Sequence, residues 1–162
     1  NRFLLVSATR MRKIFIIDTL NKQTRELNLN LGGYAPNGLY FSTKDSILFV
    51  AANENHLLGE EGNGRILRYK MKINLKSAKL LQEKSIGRFL DGISSFNDKI
   101  VVSDWRGVGD DGVLYSLDRI TLELLMNYEF LLPGLADFDY SEHKNLLVLP
   151  DLLKGKIRGF EF

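Results

Sequence analysis

Three short motifs set a carboxylate or an amide oxygen just ahead of an apolar run: Pro36-Asn37-Gly38-Leu39, Leu90-Asp91-Gly92-Ile93 and Ala136-Asp137-Phe138. Hard divalent cations such as Ca²⁺ take oxygens of these types, and a positioned carboxylate can act as a general base. Each motif also has a plainer reading. Asn-Gly and Asp-Gly are common turn dipeptides, because those residues tolerate positive φ. A second set, Asn53, Asp104 and Asp151, stands at matching places after the apolar runs that follow. Those side chains either line the same face as the first set or cap loops. Trp105, next to Asp104, is read either as the wall of a ligand pocket or as a half-buried aromatic filling space between sheets.

Other chemistries are excluded or weakly supported. The chain has no cysteine, which removes disulfide frameworks, Cys-zinc sites, iron–sulfur clusters and thiol nucleophiles. Its two histidines, His56 and His143, lie in polar loop segments at no metal-pair or triad spacing. The acidic stretch Gly59-Glu60-Glu61-Gly62 does not follow EF-hand order, and Gly107 to Gly112 has a nucleotide loop's glycines without a following helix. Lys plus Arg is 22 and Asp plus Glu is 20, a net charge of +2. The cations Arg10, Arg12, Lys13, Arg65 and Arg68 are scattered, so no basic stripe for nucleic acid is expected. The apolar runs, such as Ile14-Phe15-Ile16-Ile17, are far shorter than the roughly 18 residues of a membrane helix. No signal-peptide pattern opens the chain, and the compartment stays open.

Fourteen runs read as strands, near 2–9, 12–19, 24–30, 37–42, 46–53, 64–71, 78–86, 91–96, 99–105, 112–118, 122–130, 135–140, 145–150 and 155–162. They are short, β-branched or aromatic, and bounded by Gly, Asn, Asp or Pro. Leu75 to Ile86 and Ile120 to Phe130 contain good helix formers, but lack paired caps and fall where the repeat wants strands. The repeat itself is visible in the positions of Val6, Val50, Val102 and Val148, spaced by 44, 52 and 46 residues. A period of about 40–50 residues with three or four strands per unit is a propeller signature. The expectation is an all-β chain, a partial β-propeller of about three and a half blades. The copies fall near 1–35, 36–89, 90–133 and 134–162 of a single domain fragment, and the first lacks its innermost strand.

The order Pro36-Asn37-Gly38, Leu90-Asp91-Gly92-Ile93, Val102-Ser103-Asp104-Trp105, Ala136-Asp137-Phe138 resembles the later blades of the gluconolactonase and regucalcin (senescence marker protein) superfamily. These are six-bladed propellers. The ending, through Pro150-Asp151 to Lys156-Ile157-Arg158-Gly159-Phe160, is similar to a bacterial branch whose members are often exported. The resemblance implies a divalent ion, Ca²⁺ or similar, held in part by Asn37 and Asp91, with Asp91 also the general base. Asp137, Asn53, Asp104 and Asp151 are further candidates for the channel mouth. The family's Glu ligand comes from its first blade, outside the matched portion.

Two functions follow as expectations. In one, the intact protein is a metal-dependent lactonase or esterase acting on a small-molecule substrate, and this chain by itself is inactive and binds metal weakly. In the other, it is a non-catalytic propeller that binds a ligand or a protein. Either way, the expected partner is a missing N-terminal half or a second copy that covers an apolar flank.

Overall fold

The computed structural model describes residues 2–54, 63–72, 77–107, 109–151 and 153–161. His56, the acidic stretch 59–62 and Val108 lie outside them. The chain is all-β, built as four antiparallel sheets in chain order. The first holds β1 (Phe3–Ala8), β2 (Lys13–Asp18) and β3 (Gln23–Glu26). The second holds β4 (Ala35–Ser42), β5 (Ile47–Asn53), β6 (Gly64–Met71) and β7 (Ala78–Ser85). The third holds β8 (Leu90–Phe96), β9 (Lys99–Asp104), β10 (Asp111–Asp118) and β11 (Leu124–Pro133). The fourth holds β12 (Asp139–Ser141), β13 (Leu146–Asp151) and β14 (Lys156–Glu161). The two segments with helix-forming composition are strands β7 and β11. β7 alternates half-buried and exposed positions, with Leu80 on the packed side, which is a strand period and not a helical one.

The sheets stack face to face, and three apolar layers join them. Every residue of β5 is buried. Its Leu48, Val50 and Ala52 meet Ile14 and Ile16 of the first sheet, while Ile47, Phe49 and Ala51 meet Leu90, Val102 and Val113 of the third. In β9, Ile100 and Val102 point back to the second sheet, and Val101 points forward to Leu147 and Leu149 of the fourth. Period-two alternation lets one strand serve two layers, and burying each such Val, Leu or Phe side chain contributes about 1.5–3 kcal/mol. The end sheets show the complementary pattern. In β2 and β13 every second residue is buried and the rest are half-exposed. Phe15, Ile17, Leu146 and Val148 thus face away from the stack.

The first sheet has three strands, and one detail shows which one it lacks relative to the third. The β2–β3 turn starts at Asp18, which accepts the Leu20 N–H (3.1 Å), and Lys22 has φ 58°. The β10–β11 turn starts at Asp118, which accepts the Ile120 N–H (2.9 Å), and Leu122 has φ 55°. The same Asx-headed turn closed by a left-handed residue makes β2–β3 the counterpart of β10–β11. Hence β1 corresponds to β9, and no described strand corresponds to β8.

The leading strands of successive sheets, β4, β8 and β12, run close together. Asn37-Gly38 and Asp91-Gly92 are not turns. Both lie inside strands, at register shifts between Pro36 and Leu39 and between Leu90 and Ile93. None of these four residues has positive φ. The glycines are there for space: a Cβ on Gly38 would lie 2.1 Å from the Asp91 carbonyl oxygen, and one on Gly92 would lie 2.5 Å from Asp137 Oδ1. Gly38→Ala must therefore push β4 off β8. A loss of about 1–3 kcal/mol or more is expected for such overpacking, read as a lower urea midpoint. An unchanged midpoint would show that the strands separate freely.

Candidate functional site

The bulges in β4 and β8 turn Asn37 and Asp91 out of the ladder toward the same end of the stack, where Asp137 precedes β12. With Gly38 and Gly92 allowing contact, the three oxygen-bearing side chains converge. They line a cleft of about 320 Å³ whose other wall is Leu5, Val6 and Ser7 of β1. Its size falls within the range of small-molecule sites. Asn37 Nδ2 donates to the Leu90 carbonyl at 3.3 Å, and Asp137 Oδ1 accepts the Phe138 N–H at 2.9 Å. Partial burial, then the negative charge of Asp137, push the Asp91 carboxyl up to about 6, while the Asn37 amide draws it partway down. At neutral pH the site thus holds a half-buried carboxylate that is mostly ionised yet crowded by a second one. That arrangement favours any group that supplies positive charge or a proton.

The second candidate set is used differently. Asn53 is buried and braces two sheets: its Oδ1 accepts the Leu90 N–H and its Nδ2 donates to the Leu90 carbonyl, both at 2.8 Å. Asp104, fully buried, accepts the N–H groups of Arg88, Phe89 and Arg106 at 2.9–3.0 Å and the Tyr115 hydroxyl at 3.2 Å. Asp151 accepts the Lys154 N–H and the Arg158 guanidinium, both at 3.1 Å. These oxygens order backbone at the sheet ends, and Asn53 and Asp104 thereby fix where Asp91 sits. Trp105 is half-buried beside them, and His143 is exposed in a single 3-10 turn, Glu142–Lys144.

Two features lacked a sequence signal. Ser103 accepts the Gly92 N–H at 2.8 Å and donates to the Ala136 carbonyl, so one hydroxyl clips β8 to the residue before Asp137. Arg119 forms a two-pronged pair with Asp45 at 2.8 and 3.0 Å across the second and third sheets. That guanidinium holds the Asp45 carboxyl at about 2. Neither role shows in the residue type: Ser103 stands where the second sheet has an alanine, and Arg119 where the first has Thr19. Arg65, one of the scattered cations, stacks its guanidinium 4.4 Å from the Tyr34 ring centre.

No model of a protein family matches the chain, and no curated protein matches it. Solved structures do. A functionally unknown protein from Desulfotomaculum acetoxidans DSM 771 is similar over 99% of this chain and 47% of its own, at TM-score 0.69 and 11% identity. The computationally designed Ika4 protein is similar over 100% of this chain and 86% of its own, with TM-score 0.55 and 12% identity. The designed Ika8 protein matches over 100% and 56%, with TM-score 0.53 and 12% identity. At these identities the likeness is one of fold. The chain spans about half the length of the first of these proteins.

The raised Asp91 group predicts a pH-dependent stability change in metal-free buffer. Below 3.8, its ordinary value, the group is protonated in both folded and unfolded chains and contributes nothing. Between 3.8 and about 6 the unfolded chain ionises while the folded one holds the proton. Stability is lost progressively across that window, and the full penalty persists above it. Asp91→Asn should therefore raise the melting temperature at pH 8 and leave it nearly unchanged at pH 3.5. Equal gains at both pH values would show that Asp91 carries no such strain.

Proposed function

We propose that the four sheets are successive blades of a six-bladed β-propeller, completed by further polypeptide or a second copy. We place the hydrolytic site of a metal-dependent lactonase or esterase for small molecules at the Asn37–Asp91–Asp137 cleft. The observation that carries this reading is the crowding of Asp91 and Asp137 where leading strands converge, with the Asp91 carboxyl near 6. Support for the architecture comes from the face-to-face stacking in chain order and from the alignment with about half of a longer chain.

A hard cation fits the donor set in kind. Asn37 offers an amide oxygen, and Asp91 and Asp137 offer carboxylates, against the six to eight oxygens that Ca²⁺ takes. Among the described residues no cluster of three or more His, Cys, Asp or Glu forms. Other donors would be water, substrate or neighbouring polypeptide. When bound, such an ion polarises a carbonyl oxygen or acidifies water.

The chain's own residues do the rest. Ionised Asp91 takes a proton from water as the water oxygen adds to the lactone or ester carbonyl carbon. When the acyl C–O bond breaks, protonated Asp91 returns that proton to the departing oxygen. A group with a pKa near the working pH suits both transfers. The negative charge of Asp137 favours the protonated form in between, and Asn37 fixes the approach side.

Asp91→Asn in the completed protein should lower lactone or ester turnover by at least ~100-fold, in line with the loss of a general base, with no fall in melting temperature. Turnover that survives this change sinks the catalytic assignment. Residues 1–162 alone should bind Ca²⁺ no tighter than about millimolar, since tighter sites need several rigid charged ligands. Calorimetry showing micromolar binding by the monomer would mean the three residues already form a complete site.

A further inference from the structure

A second cleft opens over the third sheet, at the end of β8 where Leu90 pairs with Asp104. It measures about 520 Å³, and its charged and polar lining is Arg88, Asp104, Arg106, Asp110, Asp111 and Tyr115. The floor is the fully buried Asp104 carboxylate. Its Oδ2 accepts the Arg88 N–H and its Oδ1 accepts the Arg106 N–H, both at 3.0 Å. One carboxylate thus pins the backbones of two arginines, one ahead of β8 and one after β9. Arg106 takes the left-handed conformation there, with φ 60°. Its guanidinium lies against the Tyr115 hydroxyl, and that hydroxyl donates to Asp104 Oδ2 at 3.2 Å.

Asp104 is occupied by hydrogen bonds from Arg88, Phe89, Arg106 and Tyr115. The other charges of the cleft are not matched in this way. Arg88 and Arg106 enter over β8 and β9, whereas Asp110 and Asp111 enter at the start of β10, the next strand outward. Among the described residues, no ion pair joins these arginines to these aspartates. Positive groups therefore stand on the inner side of one cleft and negative groups on its outer side. A simple anion placed there meets the carboxylates, and a simple cation meets the guanidinium groups. A ligand carrying both signs satisfies both sides.

We propose that this cleft binds a small zwitterion, a free α-amino acid, with its carboxylate on Arg88 and Arg106 and its ammonium on Asp110 and Asp111. A carboxylate and an ammonium on one carbon, with a hydrogen bond to protein on either side, span about 8–9 Å. The step from β8 to β10 is two strand spacings of about 4.8 Å each. Guanidinium forks suit a planar carboxylate, which they bind with two parallel hydrogen bonds. The volume lies in the range of small-molecule sites and leaves room for a polar side chain. The site is also built in advance: the Asp104 hydrogen bonds fix both arginine backbones, so less ordering is left for binding to overcome. This inference does not depend on hydrolysis at the Asp91 cleft.

Calorimetry on the whole protein with each of the common L-amino acids is the test. At least one should bind with a dissociation constant of about millimolar or tighter. The amide of that amino acid, which lacks the carboxylate, and its deaminated acid, which lacks the ammonium, should each bind at least tenfold more weakly. Arg88→Gln and Arg106→Gln should each weaken the amino acid at least tenfold. Asp110→Asn combined with Asp111→Asn should weaken the amino acid but not the deaminated acid. Arg88, Asp110 and Asp111 are exposed, so their replacement spares the fold, and Arg88→Gln decides if Arg106→Gln fails to fold. Asp91→Asn should leave amino-acid binding unchanged. Absence of binding for every amino acid at ~10 mM, or binding indifferent to the arginines, overturns the proposal. A deaminated acid that binds as tightly as the amino acid makes the cleft an anion site and overturns it too. Loss of binding in Asp91→Asn places the ligand in the other cleft, with the same result.

Discussion

Gly38 and Gly92 sit where a single methyl group would overlap the next sheet, and this close approach sets how tightly the leading strands converge. The stacking layers alone leave some latitude, because apolar faces can slide. The glycine contacts do not: each puts a backbone or carboxylate atom of the neighbouring sheet within 2.1–2.5 Å of where a Cβ would stand. Asn53 and Ser103 then lock the same junctions by hydrogen bonds to Leu90, Gly92 and Ala136. Convergence of the strands is what brings Asn37, Asp91 and Asp137 to one cleft from positions far apart in the chain. The site is thus a consequence of sheet spacing.

The fate of each carboxylate follows from who reaches it first. Asp104 is fully buried and takes hydrogen bonds from three backbone N–H groups and a tyrosine, so its charge is spread over fixed dipoles. Asp45 faces a guanidinium and drops to about 2. Asp91 has a second carboxylate and apolar walls around it, and rises to about 6. The three residues are chemically identical. Only the last is left with unmet demand for charge, and a perturbed group of that kind in a cleft is a candidate for a functional site.

The strands were readable because alternation and β-branched composition recur in every copy, and because continuous apolar runs such as Ile47 to Ala52 mark strands buried on both faces. The spacing of Val50, Val102 and Val148 carried the sheet order for the same reason. The bulges were not readable. Asn37-Gly38 looks like a turn until the register shows two residues opposed by one, and the glycine's purpose emerges only when the neighbouring sheet is in place. The roles of Asn53 and Asp104 were equally hidden, since a buried amide bracing a backbone and an amide lining a channel occupy the same position in the sequence. What could have been seen is the likeness of Asp18-Thr19-Leu20-Asn21-Lys22 to Asp118-Arg119-Ile120-Thr121-Leu122, which places β1 opposite β9.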